Sequence, residues 1–158
     1  MHFLCLKTAR KPHVHFIVNV LFLCHNLLEV REMFQYYNPN PSGRNVGDCA
    51  VRAVSAALDI DWEDAYARIA ANGFAMNDMP SSDSVWGSVL RQEGFRRASI
   101  PETCPDCYTT EDFALEHPEG VYVLGFGTHV STLRDGIILD SWDTSGLVPQ
   151  YFWYRKEK

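Results

Sequence analysis

The stretch that decides the architecture runs from Val121 to Trp142 and reads VYVLGFGTHVSTLRDGIILDSW. Val121 to Phe126 is short and continuously apolar, as a buried strand is. Asp135-Gly136 lies between two apolar runs, His129 to Arg134 and Ile137 to Trp142. An Asp-Gly pair so placed signals a two-residue hairpin turn, because both turn residues need a positive φ. Pairing outward from the turn sets Arg134 against Ile137, Ser131 against Asp140 and His129 against Trp142. Side chains alternate along a strand, so His129, Ser131 and Asp140 fall on one face. Asp140 becomes the diagonal neighbour of His129, at roughly 7–8 Å between backbone positions. Asp143 has the opposite parity unless the chain bends after Trp142.

Outward from this hairpin, Tyr151 to Tyr154 can add a last strand. Upstream the period becomes helical. Tyr36 to Gly47 reads as a loop of turn formers, with Asn38-Pro39-Asn40-Pro41-Ser42-Gly43 at its centre. A helix starts near Cys49, with Ala50, Ala53, Val54, Ala57 and Leu58 on its apolar face and Arg52, Ser55 and Asp59 off it. Asp61 is placed to cap a second helix whose buried face is Trp62, Ala65, Tyr66, Ile69 and Ala70, ending at Asn72-Gly73. A third begins at Ser81 or Ser82, packs Val85, Trp86, Val89 and Leu90, and stops at Gly94. Thr109 to Glu116 is a short fourth. Helices followed by an antiparallel C-terminal sheet is an α+β order, not the βαβ alternation of a Rossmann domain. No internal repeat and no Gly-rich phosphate loop is present in the sequence.

The chain has 158 residues, 46% hydrophobic and 13% aromatic, which suits one folded domain and excludes a wholly disordered chain. Its net charge is −6. Residues 1–32 carry four basic and two acidic side chains, so 33–158 holds 10 basic and 18 acidic, a net charge of −8. That balance argues against a nucleic-acid partner, which would face a basic surface. The apolar run Phe16 to Cys24 resembles a signal peptide's core, but no small-residue cleavage site follows. It is also well short of the ~20 apolar residues of a membrane span. We expect a cytoplasmic protein with no membrane partner. Residues 1–32 read as a dubious leader ahead of a true start at Met33, because Glu-Val before that Met can be written as a ribosome-binding site. The single domain is then 33–158. An intact mass that includes residues 1–32 in native protein would refute this expectation.

Within 33–158 only His117 and His129 are histidines, and only Cys49, Cys104 and Cys107 are cysteines. Cys49 follows Asn45-Val46-Gly47-Asp48 and opens a helix. The dipole and unpaired N–H groups at a helix N-terminus favour a thiolate, the nucleophilic form. The plainer alternative is a small buried residue, since free Cys is among the most buried types. His129 can serve as its general base, with an ordinary pKa near ~6.5. Asp140, rather than Asp143, can orient the imidazole. His117 sits before Pro118 at a helix end and is assigned to structure.

A Cys at a helix start, then a His on a strand, then a carboxylate on the next strand is the chain order of the papain-like cysteine peptidases. The sequence resembles that superfamily in Asn45-Val46-Gly47-Asp48-Cys49-Ala50-Val51-Arg52-Ala53, Gly127-Thr128-His129-Val130 and Asp140-Ser141-Trp142-Asp143. Within it, the chain is similar to small, poorly characterised bacterial and phage papain-fold proteins. The resemblance implies an α+β fold with the Cys helix packed on a sheet. It also implies a thiolate–imidazolium pair that attacks an amide, thioester or isopeptide carbonyl of a peptide or protein substrate, with no cofactor. Papain-like enzymes commonly carry an oxyanion-donating Gln six residues before the nucleophile, where this chain has Gly43. Asn45 is the nearest amide for that task, beside the Cys49 backbone N–H, unless it only forms an Asx turn. A non-catalytic binding domain on the same fold is one alternative function, and a zinc- or redox-linked protein using Cys104 and Cys107 is another.

Cys104-Pro105-Asp106-Cys107 is a competing signal. A CxxC can be a redox dithiol, half a zinc site or a disulfide. No second CxxC completes a zinc site, so Cys104 and Cys107 are weak metal candidates and shaping a loop is their simplest role. Trp62, Trp86, Trp142 and Trp153 are expected in the core or the cleft wall, and Arg96-Arg97 at the solvated entry to a strand.

Overall fold

A computed structural model describes residues 32–101 and 107–155. They form an α+β domain of four helices and one six-stranded mixed sheet. In chain order the elements are β1 (Phe34–Tyr36), α1 (Cys49–Leu58), α2 (Trp62–Met76), α3 (Asp83–Gln92), β2 (Arg96–Ser99), α4 (Thr110–Glu116), β3 (Val121–Gly125), β4 (Val130–Arg134), β5 (Ile137–Asp140) and β6 (Tyr151–Tyr154). The sheet order is β1-β5-β4-β3-β6-β2. Among the described residues, no helix is long and apolar enough to cross a membrane.

The β4–β5 hairpin turns on Asp135 (φ 52) and Gly136 (φ 75). Both values lie in the left-handed region that a tight hairpin of this hand requires. The resulting register pairs Arg134 with Ile137, Leu133 with Ile138 and Thr132 with Leu139. β5 ends at Asp140, two residues earlier than the alternation suggests, so His129 and Trp142 are not ladder partners. The backbone turns there because the Ser141 N–H donates to the Asp140 carboxylate at 2.7 Å.

The sheet is not antiparallel throughout, and it is not confined to the C-terminal part. β1 runs parallel to β5, pairing Phe34, Gln35 and Tyr36 with Ile138, Leu139 and Asp140. β2 lies antiparallel to β6 at the other edge. Three residues are too few to show a period, and the partner of β1 is about a hundred residues away, so local pattern does not reveal it.

Two apolar clusters occupy the domain. One joins Val54, Ile69, Val85, Trp86, Leu90, Val123 and Trp153, between the α1–α3 layer and the sheet. The other joins Phe113 and Ala114 of α4 to Leu124, Leu133 and Ile138. Alternation along β4 explains the division. Thr132 donates through Oγ1 to the Ala53 carbonyl of α1 at 2.9 Å, while its neighbour Leu133 belongs to the α4 cluster.

The helices depart from the pattern in two places. α1 has no solvent face along most of its length: residues 51–57 are all buried, including Arg52 and Ser55. Ser55 donates to the Ile60 carbonyl at 2.6 Å and lies 2.9 Å from the Tyr37 hydroxyl, so its burial is satisfied. α2 passes through Asn72-Gly73 and ends at Met76, where Asn77 adopts φ 54. Gly73 is there for closeness rather than termination: a Cβ at that position would lie 2.9 Å from the Asp78 carbonyl oxygen. On the same helix Tyr66 is exposed rather than buried, stacked at 5.0 Å on Trp62. α2 begins with Asp61 accepting the Asp64 N–H, and α4 with a reciprocal capping box between Thr109 and Asp112.

Candidate active site

Cys49 is the first residue of α1 and is partly buried. His129 lies just ahead of β4, after Gly127 at φ 86. Its backbone carbonyl accepts the Phe126 N–H at 2.9 Å, which closes the β3–β4 connection and fixes where the ring emerges. Asp140 is the last residue of β5 and 2% exposed. The three side chains form one line. His129 Nε2 meets Asp140 Oδ2 at 2.6 Å, and the imidazole lies close enough to the Cys49 thiol to lower its pKa. With Nε2 committed to Asp140, Nδ1 is the ring nitrogen left for the sulfur.

Asp140 is anchored from several sides. Ser131 Oγ donates to Oδ2 and lies 2.9 Å from Thr144 Oγ1. Oδ1 receives the Ser141 N–H and faces Arg52 Nη2 at 3.5 Å. Asp143 takes no part: it is exposed and accepts the Ser145 N–H at 2.9 Å in a local turn.

These contacts set the protonation states. Burial disfavours the Cys49 thiolate, but the hydrogen bond and charge of His129, the Val130 N–H and the Arg52 charge outweigh it. The thiol pKa is lowered below its ordinary value. Burial likewise disfavours the imidazolium, yet the hydrogen bonds to Asp140 and Cys49 and their negative charges raise His129 to about 9. Asp140 is buried too, and the bonds from His129 and Ser131 still hold its carboxyl below the usual range. The Cys49 and His129 shifts favour one microstate, with the proton on the imidazole and the charge on sulfur.

Cys49 and His129 line a cleft of about 500 Å³. Its far wall is apolar and aromatic, built from Tyr66, Met79, Pro80 and Trp86. Asp83 also lines it, held by the Trp86 indole N–H at 3.2 Å and the Tyr151 hydroxyl at 2.6 Å. Trp142, 45% exposed, stands with its ring centroid 5.1 Å from that of His129. Of the four tryptophans, Trp86 and Trp153 are core.

Asn45 is not brought to the site. It is exposed and absent from the cleft lining, because its loop folds on itself. Asn38 Nδ2 donates to the Arg44 carbonyl at 3.2 Å, and Asn40 Oδ1 accepts the Ser42 N–H at 3.0 Å. Cys104 lies outside the described residues, and Cys107 is exposed. Among the described residues no group of three or more His, Cys, Asp or Glu side chains is arranged to hold a metal ion.

Two residues at the site escaped the sequence pattern. Asp48 and Arg52 form a buried ion pair one turn apart at the start of α1. Asp48 stands at the N-cap position without capping: its carboxylate goes to Arg52, to Trp62 Nε1 at 2.9 Å and to Asn40 Nδ2 at 3.2 Å. The signal lay in the composition around Arg52. A helix of Ala, Val and Ser on nearly every side is buried all round, so its one charged residue is buried with it.

The chain matches no protein-family model, no curated protein and no solved structure.

Proposed function

We propose that the protein is a papain-like cysteine hydrolase acting on the carbonyl of an amide, isopeptide or thioester in a peptide or protein substrate. The single observation behind it is the line Cys49, His129, Asp140, with a thiol lowered and an imidazole raised toward an ion pair. The placement of Cys49 at the first position of a helix packed on a sheet supports the papain-like comparison. The Cys49 thiolate attacks the carbonyl carbon. His129 then gives its proton to the leaving nitrogen or sulfur as the scissile bond breaks, leaving an acyl-enzyme. A water next loses a proton to His129 and attacks the thioester carbonyl. The acid leaves and the thiolate–imidazolium pair returns.

The oxyanion needs donors, and Asn45, exposed and outside the cleft lining, is not the favoured one. The first-turn amides of α1, beginning with Cys49 N–H, fit the role, because the Asp48 carboxylate is drawn away from them to Arg52 and Trp62. The apolar wall of the cleft suits a substrate side chain with hydrophobic body.

The test is the rate of Cys49 labelling by iodoacetamide against pH, in wild type and His129→Ala. A thiol reactive at acid pH in wild type, and no longer so in the variant, supports the proposal. A Cys49 that reacts along an ordinary thiol titration in both would overturn it.

A further inference from the structure

Arg52 is an expensive residue where it stands. Its side chain is 5% exposed, in a helix otherwise walled by Ala, Val and Ser. Its Nε is buried without a hydrogen-bond partner among the described residues. Desolvating a guanidinium offsets much of what its ion pairs return, so a buried pair is weak evidence for stability. A Met at this position would pack at lower cost. What Arg52 does instead is visible in its two ends.

One position after Asp48 comes Cys49, and three after Cys49 comes Arg52, so all three sit on the first turn of α1. Arg52 Nη1 is bonded to Asp48 Oδ1 and lies 3.4 Å from the Val46 carbonyl. Nη2 faces Asp140 Oδ1 at 3.5 Å. Asp48 itself cannot swing away, because Trp62 and Asn40 hold its second oxygen. The helix start, the loop before it and the end of β5 are thus tied through one planar cation.

We propose that Arg52 is a positioning residue of this site: clamped by Asp48, its guanidinium holds the Asp140 carboxylate turned toward His129. This rests on the functional reading above and deepens it. The reacting pair is the outer end of a buried chain of alternating charge, Asp48, Arg52, Asp140, His129, Cys49. Other titratable groups near it are Asp83 across the cleft and Tyr37, whose hydroxyl meets Ser55 on the same helix. Arg134 and Asp59 pair at the opposite end of α1, at 3.4 Å.

Removing the cation disfavours the Cys49 thiolate by either available route. If Asp140 stays ionised, the thiolate loses a nearby positive charge. If Asp140 takes up a proton, His129 loses the anion that keeps it imidazolium. Both raise the thiol pKa. In Arg52→Met the acid limb of the iodoacetamide profile should therefore move up by about one pH unit, with alkylation on that limb about tenfold slower. Arg52→Lys keeps the charge and should return the limb toward wild type.

A folded Arg52→Met whose limb coincides with wild type would overturn the proposal. Should that variant fail to fold, Arg52→Met with Asp48→Asn avoids two facing carboxylates. Its limb must then lie about one unit above that of Asp48→Asn alone; coincidence overturns the proposal. A wild-type Cys49 with an ordinary thiol profile is a different result. It would defeat the hydrolase reading, and the role of Arg52 with it.

Discussion

His129 and His117 are both partly buried rings among aromatic side chains, and their surroundings assign them opposite tasks. His117 caps α4 with its ring flat against Phe113, at 4.0 Å between centroids and 11° between planes. Its Nδ1 is 3.0 Å from the Phe113 carbonyl oxygen. Tyr122 and Phe152 complete that region, an aromatic cluster with a backbone contact for its imidazole. His129 has a carboxylate on one ring nitrogen and a thiol on the side of the other. A histidine facing aromatic rings and a backbone carbonyl serves packing. One held between two ionisable groups can move a proton at neutral pH. The aromatic region supplies stability, and the charged one carries the chemistry proposed here.

The largest expected effect comes from the aromatic side. Phe113 is 1% exposed and touches the rings of Tyr108, His117, Tyr122 and Phe152. Phe113→Ala should lower unfolding free energy in urea by about 3–5 kcal/mol. The alkylation rate of Cys49 per folded molecule should be unchanged; a matching loss of reactivity would erase the distinction between the regions.

Next is the histidine swap. His129→Ala should slow alkylation of Cys49 at pH 6 on the order of 100-fold, because the thiol loses its ion-pair partner. His117→Ala should leave that rate alone and lower stability instead, read from the urea midpoint.

The pH dependence of melting temperature sharpens the assignment further. On folding His129 gains affinity for a proton, its value rising from 6.5 to about 9, while Cys49 is lowered from 9.0. Stability from a raised group is complete below its unfolded value and is lost as pH climbs through the folded one. A lowered group contributes in the opposite sense, so the two slopes oppose each other between about pH 6.5 and 9 in wild type. Cys49→Ala removes one of them and leaves the Asp140 contribution to His129, so its melting temperature should fall as pH rises above about 6.5. A level curve in Cys49→Ala would contradict the coupling.

The smallest effect is Thr109→Ala, which removes the capping box of α4. We expect a loss of about 1 kcal/mol in urea and no change at Cys49.

The sequence carried the site further than it carried the sheet. Asp135-Gly136 sufficed to set the β4–β5 register, and with it the meeting of residues 129, 131 and 140, because the turn's two positive φ values admit one pairing. Asp61 likewise marked a helix start through capping chemistry that is local to a few residues. β1 was invisible because a three-residue parallel edge strand is defined by its distant partner, not by its own pattern. Arg52 was misread because periodicity assumes a helix with a wet side, and α1 has neighbours around most of it. Asn45 stayed open between two readings because spacing from Cys49 says nothing about how a loop of turn formers curls.

β1 has a consequence for the order in which the protein assembles. Tyr36 pairs with Asp140, the Tyr37 N–H donates to the Asp140 carbonyl at 2.7 Å, and the Ile138 N–H donates to the Met33 carbonyl at 2.6 Å. These bonds join segments about a hundred residues apart, so the loop-closure entropy they face is among the largest in the chain and their formation is correspondingly slow. The hairpin and the helices need no such meeting of remote segments. Cys49 and Asp140 are themselves about ninety residues apart in the chain, so the reactivity proposed for the thiol depends on contacts of the same long-range kind.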